Sequence, residues 1–387
     1  MKILMVSLDK GLLGGGQLGD VVARHCAYGE QPGVERLDIV VLSGRGYAPF
    51  ALSPNVQAHP TNSISPWLYL TDGIRLAEGL FSQRQYDLVV TQDPFLTGLI
   101  GAHMKRRHAS KLLVHFHGDF FDNRHWMADA VVNRFLLPFA RSVVRQADGL
   151  RAVSQGIADK LVRFGIPRNR IRVIPTPVDA SKFRSVAPEA VAQFRREHGI
   201  PNGAKVLLSV GRNDPAKDYP TLYAAVAAVC RRYGGTLHLV QLGAGLTSED
   251  IAAKIAAPPA RLTVSARARL PQDQLIAAYH AADVYVSSSR HESFGKVLIE
   301  ANAAGVPLVA TDTTGSKEIV RPGVNGYLAP VGNPEALAEK IAHLLEHPDL
   351  ARAIGERGQA LVAERFDGGS SLRAVTQFWR ELTAPTP

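Results

Sequence analysis

Nine short apolar segments, most of them rich in β-branched residues, punctuate the chain. KILMVSLD, LDIVVLSG, DLVVTQD, KLLVHFHG and GLRAVS occupy the first half, and KVLLSVGR, LHLVQLGAG, VYVSSS and VPLVATD the second. Longer stretches with apolar residues at helical spacing run between them. A short apolar run without polar alternation reads as a strand covered on both faces, and such strands separated by helices build parallel sheets. The pattern therefore predicts an α/β chain with two Rossmann-like, doubly wound parallel-sheet domains in series. Pro175 and Pro177 in IRVIPTPVDASKF interrupt it, which places a hinge near residues 175–183 and the domains at 1–178 and 179–365. The remaining stretch, 366–387, is amphipathic, with Leu372, Val375, Phe378, Trp379 and Leu382 on its apolar side. A helix crossing back to pack on the first domain is expected there.

Composition narrows the class. With 387 residues there is room for two or three domains, and 46% hydrophobic with 20% charged residues exclude a disordered or membrane-integral chain. Cys26 and Cys230 are too few for a disulfide framework, and the apolar run before Ser7 is too short for a signal-peptide core. Both features lead to an expected cytoplasmic location. The net charge is +9, and residues 1–180 hold 21 basic and 15 acidic side chains, an excess of +6. That balance suits phosphorylated ligands or an anionic membrane surface, which leaves a peripheral membrane contact open through Trp67, Phe120, Phe121, Trp126, Arg134 and Phe135. No nucleic-acid motif accompanies the charge, so no nucleic-acid partner is expected. The basic run Lys105 to His108 closes a helical segment, where cations complement the helix dipole.

Ligands of open parallel sheets bind beyond the carboxyl ends of the strands, so the loops there are where chemistry is sought. After the first strand, Gly14, Gly15 and Gly16 would let backbone amides approach an anion or a sugar. His115 and His117 share one side of a strand, and His117 at its end is the better candidate for a polar role. Arg212 and Lys217 lie five residues apart in a loop with Pro215, and two cations so placed can converge on a diphosphate. In HESFGKVLIEANAAGVPLVATD, Glu292 and Glu300 are separated by seven residues. A helix starting near Phe294 or Gly295 would leave Glu292 in the preceding loop and Glu300 about two turns in. First-turn amides would then point at the ligand space between two carboxylates that accept hydrogen bonds from sugar hydroxyls. Gly315 and Glu318 supply a further loop. No pattern of metal ligands appears, so no obligatory metal or cofactor is expected.

The ordered set of glycine-rich loop, strand-end histidine, Gly-Arg with a lysine five residues on, and Glu-x7-Glu resembles the retaining glycosyltransferases of family 4, which have the GT-B fold. The resemblance implies two domains facing across a cleft, the first binding the acceptor and the second a nucleoside-diphosphate sugar, UDP- or GDP-linked. It implies that Arg212 and Lys217 neutralise the donor diphosphate, that Glu292 lies near the donor sugar hydroxyls and that Glu300 binds the ribose. Phe294, Gly295, Lys296 and Val297 match the turn whose amides meet sugar and phosphate, Gly16 the N-terminal loop glycine, and His117 the histidine beside the transferred sugar. The acceptor would be a glycan, a lipid-linked glycan or a small metabolite. Three positions depart from the family pattern: Asp218 stands where glycine usually follows the lysine, Thr314 where a second glycine precedes Gly315, and Lys296 where an aliphatic residue is common. A sugar-nucleotide epimerase or hydrolase of the same fold, and a non-catalytic nucleotide-sugar-binding scaffold, are the competing readings.

Overall fold

The computed structural model describes residues 1–14, 21–255, 261–366 and 368–384. Two compact units emerge, one of Met1–Pro177 with Gly369–Pro387 and the other of Val178–Gly368.

The first unit is built on strands β1 (Lys2–Ser7), β2 (Arg36–Val41), β3 (Phe50–Ser53), β4 (Val56–Pro60), β5 (Leu88–Thr91), β6 (Lys111–Phe116), β7 (Gly149–Ala152) and β8 (Ile171–Val173). They lie in the order β3-β4-β2-β1-β5-β6-β7-β8, parallel except for the antiparallel edge pair β3 and β4. The strands are apolar without alternation because both faces are covered: Ile3, Leu4, Met5 and Val6 of β1 are all fully buried. The run Lys105 to His108 ends the helix Leu96–His108, with Lys105 paired to Asp148 at 2.7 Å and His108 bonded to Glu78.

The second unit contains β9 (Lys205–Val210), β10 (Leu237–Leu242), β11 (Leu262–Arg267), β12 (Val284–Ser287), β13 (Leu308–Thr311) and β14 (Gly326–Ala329). Their order is β11-β10-β9-β12-β13-β14, with every pairing parallel. Local chemistry sets the helix starts. Thr247 and Asp250 form a reciprocal capping box, and Asn333 caps Ala336 N–H with Pro334 in the first turn.

All nine apolar segments form strands, and five further strands, β3, β4, β8, β11 and β14, join them. The C-terminal helix spans Gly368–Thr383, and Val375, Phe378 and Trp379 are buried in one core with Ile3, Met5, Tyr28 and Leu88 of the first unit. It starts two residues later than expected because Phe366 is buried against Phe294 in the second unit, with ring centroids 6.0 Å apart. Val178 and Gly368, the first and last residues of the second unit, lie side by side. A side chain at Gly368 would sit 2.8 Å from the carbonyl oxygen of Val178, so glycine is what allows that approach.

Candidate functional site

In a parallel sheet the strand order reverses direction at one place, and the loops leaving the two strands there diverge and open a crevice. In the second unit that place lies between β9 and β12, the neighbours at the centre of the sheet. The loop after β9 carries Arg212 and Lys217, and the loop after β12 carries Glu292. The chain thus brings its two most suggestive segments, 75 residues apart, to the same crevice.

Several contacts join these loops. Lys217 Nζ donates to Glu292 Oε2 at 2.7 Å, Ser288 Oγ–H donates to the Lys217 carbonyl at 2.7 Å, and Arg290 N–H donates to the Ala216 carbonyl at 2.8 Å. The Arg290 guanidinium pairs with Asp218 at 3.3 Å. Asp218 itself has φ 46° and ψ 53°, the left-handed region, and is buried with its carboxylate accepting from Thr221 Oγ1 at 2.7 Å. The departure from glycine is therefore accommodated: a short polar side chain that bonds locally tolerates this conformation. The base of the loop is held by Tyr219, whose hydroxyl donates to the Gly211 carbonyl at 2.7 Å. Arg212 is exposed at the outer end and makes no ion pair among the described residues.

Downstream of Glu292, Phe294 is buried and Gly295 turns with φ +88°, which starts the helix Lys296–Ala303. Gly315 packs against this turn so closely that a β-carbon there would lie 2.5 Å from Phe294 N, and its own N–H donates to the Glu292 carbonyl at 2.7 Å. The single glycine at position 315 is thus the one the geometry requires, and Thr314 faces no such demand. Inside the helix, Glu300 is buried and accepts from the Tyr279 hydroxyl at 2.8 Å, while Lys296 Nζ lies 3.8 Å from its other oxygen. Burial first, and then Glu300, push the Tyr279 phenol well above its ordinary pKa, so it stays a donor. Val297 follows Lys296 in the first helical turn, whose amides lack partners within the helix.

His117 belongs to the first unit, just past the end of β6, and its Nε2 lies 2.8 Å from Gln92 Oε1 in the loop after β5. His115 is fully enclosed beside it, with ring centroids 5.5 Å apart and the Arg151 guanidinium 3.5 Å from its Nδ1. Burial and the Arg151 charge hold both imidazoles well below the usual histidine range, so they are neutral near pH 7. Gly15 and Gly16 lie outside the described residues. Of the aromatic side chains considered for a surface contact, Phe121 is buried against Phe116 and Phe164, whereas Trp67 is 93% and Phe135 68% exposed.

Sequence reasoning missed Tyr279, Ser288 and Arg290. Serine and arginine next to a motif carry no signal of their own, and a tyrosine in an apolar helix reads as core until its partner is known.

Residues 191–361 match the family model described as glycosyl transferases group 1, and residues 31–182 match the one described as glycosyltransferase family 4. A D-inositol 3-phosphate glycosyltransferase of Thermobispora bispora is 30% identical over 323 residues, covering 80% of this chain and 74% of that protein. The protein of the same name from Streptomyces bingchenggensis is 34% identical, covering 62% of this chain and 54% of its own length. Against that protein and the one of the same name from Nocardia farcinica, the matched part spans about half of their length. Among solved structures, sucrose-phosphate synthase from Thermosynechococcus elongatus superposes with a TM-score of 0.79 at 21% identity, covering 99% of both chains. Anabaena HepE in complex with UDP-glucose gives 0.76 at 20% identity, with 98% of this chain and 100% of that one covered. Two parallel α/β units with these neighbours, and homology running through both, make the chain a member of the group 1 glycosyltransferases with the GT-B fold.

Proposed function

We propose that the chain is a retaining hexosyltransferase that moves a sugar from a nucleoside-diphosphate donor to an acceptor hydroxyl. The observation that carries this reading is the Lys217–Glu292 pair at the crevice of the second sheet, next to the helix start at Lys296. In this reading Arg212 and Lys217 hold the diphosphate, the first-turn amides of Phe294 to Val297 meet phosphate and sugar, and Glu292 accepts from the sugar hydroxyls. Glu300, oriented by Tyr279, accepts from the ribose. By the same reading His117, held by Gln92, contacts the transferred sugar as a neutral imidazole.

The bond from the anomeric carbon to the β-phosphate breaks with its electron pair going to the diphosphate. The acceptor oxygen bonds to the same face, and its proton passes to the departing phosphate oxygen. No carboxylate nucleophile is assigned. The protein's contribution is the fixed positive charge of Arg212 and Lys217 and the aligned amides, which stabilise charge as it develops on the leaving group. HepE is described in complex with UDP-glucose and the T. bispora relative is named for inositol phosphate. Those names favour UDP over other nucleotides and a small phosphorylated polyol among the acceptors to try first. Cys26 and Cys230 are both free thiols, which supports a cytoplasmic setting.

Calorimetric titration with UDP, GDP and ADP tests the donor site. One nucleotide should bind selectively to the wild type and lose that binding in Arg212→Ala/Glu300→Ala. Equal binding by the variant, or none by the wild type, would defeat the assignment and favour a scaffold. Sugar found on an added acceptor separates a transferase from an epimerase, which returns an isomeric sugar nucleotide, and from a hydrolase, which releases free sugar. NMR of the anomeric proton in the product decides retention.

A further inference from the structure

The helix Val131–Gln146 of the first unit turns one face outward that the glycosyl-transfer reading does not use. Successive residues are offset by about 100° around a helix axis. On that wheel Ala140, Val143 and Val144 form the buried side. Val131, Val132, Phe135 and Phe139 fall together in an outward sector about 100° wide, and they are 74%, 56%, 68% and 53% exposed. Arg134, Arg141 and Arg145, all exposed, fall in a narrow strip along one side of that sector, and the helix holds no acidic residue. Large apolar side chains exposed singly are ordinary on a soluble protein, but four on one face of a helix whose only charged residues are arginines are not. The helix follows β6 through residues 117–130, so its amino end lies on the carboxyl side of the sheet that bears His117.

We propose that this face docks on an anionic lipid bilayer, Phe135 and Phe139 entering the interface while the three arginines meet headgroup phosphates. Charge selects this occupant. An apolar strip alone would suit a protein partner or a second copy equally, whereas a strip flanked along one side by guanidinium groups, on a helix with no acidic residue, complements a surface of uniform negative charge. A second copy related by a two-fold axis would bring arginines of the same sign together. The inference does not rest on the proposed reaction, since none of these residues touches the candidate donor site.

Co-flotation of the full chain with vesicles tests it. Vesicles of phosphatidylcholine with a third phosphatidylglycerol should carry the protein, and pure phosphatidylcholine should carry at least about tenfold less at low salt. Phe135→Ser/Phe139→Ser should lower binding by on the order of tenfold or more. Arg134→Gln/Arg141→Gln/Arg145→Gln should lower it comparably and remove most of its salt dependence. Both variants change exposed positions, and an unaltered circular dichroism spectrum and UDP titration show that they fold. Equal binding to both vesicle types, binding unchanged in either variant, or a concentration-dependent dimer that disappears with Phe135→Ser/Phe139→Ser would overturn the proposal. Failure of UDP to bind the wild type would count against the donor site and leave the flotation result standing.

Discussion

Lys217 Nζ and Glu292 Oε2 meet at 2.7 Å across the crevice of the second sheet, each side chain about one-fifth exposed. The ion pair fixes both groups relative to each other, and the Ser288 and Arg290 bonds keep their loops in register. In the proposed reading, donor binding re-pairs the ammonium with phosphate and leaves the carboxylate to accept from the sugar. Lys217→Ala is therefore expected to raise the barrier by about 2 to 4 kcal/mol, the cost of losing one well-placed donor. Glu292→Gln should reduce kcat by a larger factor than it weakens UDP binding. Steady-state kinetics with nucleotide titrations checks both, and an unchanged kcat in Lys217→Ala would refute the role.

Asp218 occupies a left-handed conformation at φ 46°. Substitution by alanine keeps the strain of a β-carbon there and removes the hydrogen bonds to Thr221 and Arg290, whereas glycine removes the bonds and the strain together. Asp218→Ala should be less stable than Asp218→Gly by about 1 kcal/mol in urea unfolding. Equal midpoints and slopes for the two would show that the backbone conformation is not limiting.

Gly315 has no room for a side chain, because a β-carbon would press on Phe294 N, Ser293 C and the Glu292 carbonyl at 2.5 to 2.8 Å. All three are backbone atoms, so Gly315→Ala must displace the turn that carries Glu292 and Phe294. The expected result is UDP affinity reduced by about tenfold or more, with no loss of the cooperative unfolding transition. Calorimetry reads the first and thermal melting the second.

Trp379 is completely buried, its ring centroid 5.2 Å from that of Tyr28, and it ties the C-terminal helix into the core of the first unit. Trp379→Ala should cost about 3 to 5 kcal/mol. Limited proteolysis should then cut the C-terminal segment first, and wild-type resistance in the variant would contradict the prediction.

His238 is buried on β10 with its ring nitrogens 2.7 Å from Thr263 Oγ1 and 2.9 Å from Ser265 Oγ. Burial, reinforced by His198 and Arg195, pulls its pKa down from 6.5 to about 4. Below pH 6.5 the unfolded chain takes up this proton and the folded chain does not. The contribution to stability is thus complete above pH 6.5 and is lost as pH falls toward 4, by about 3 kcal/mol in total. His238→Gln should flatten the decline in urea stability between pH 6.5 and 4, and an unaltered slope would rule the residue out as its source.

The nine apolar segments were legible because strands covered on both faces announce themselves locally, and the cations of one loop and the carboxylates of another were legible from residue type and spacing. β4, VQAHP, alternates and ends in proline, β8 has three residues, and β14 is GYLA. Such segments become strands because a neighbouring edge offers hydrogen bonds, and that offer is absent from the segment itself. The same limit applies to the site. Glu300 reads as a candidate ligand group in the chain, but the tyrosine that orients it lies 21 residues away. Lys217 and Glu292 read as separate motifs, and only the placement of β9 beside β12 makes them partners. Period, capping and turn chemistry act over a few residues and are written along the chain. Strand order is a choice among non-local pairings, settled by which arrangement buries the sheets, and it alone decided which loops share a crevice.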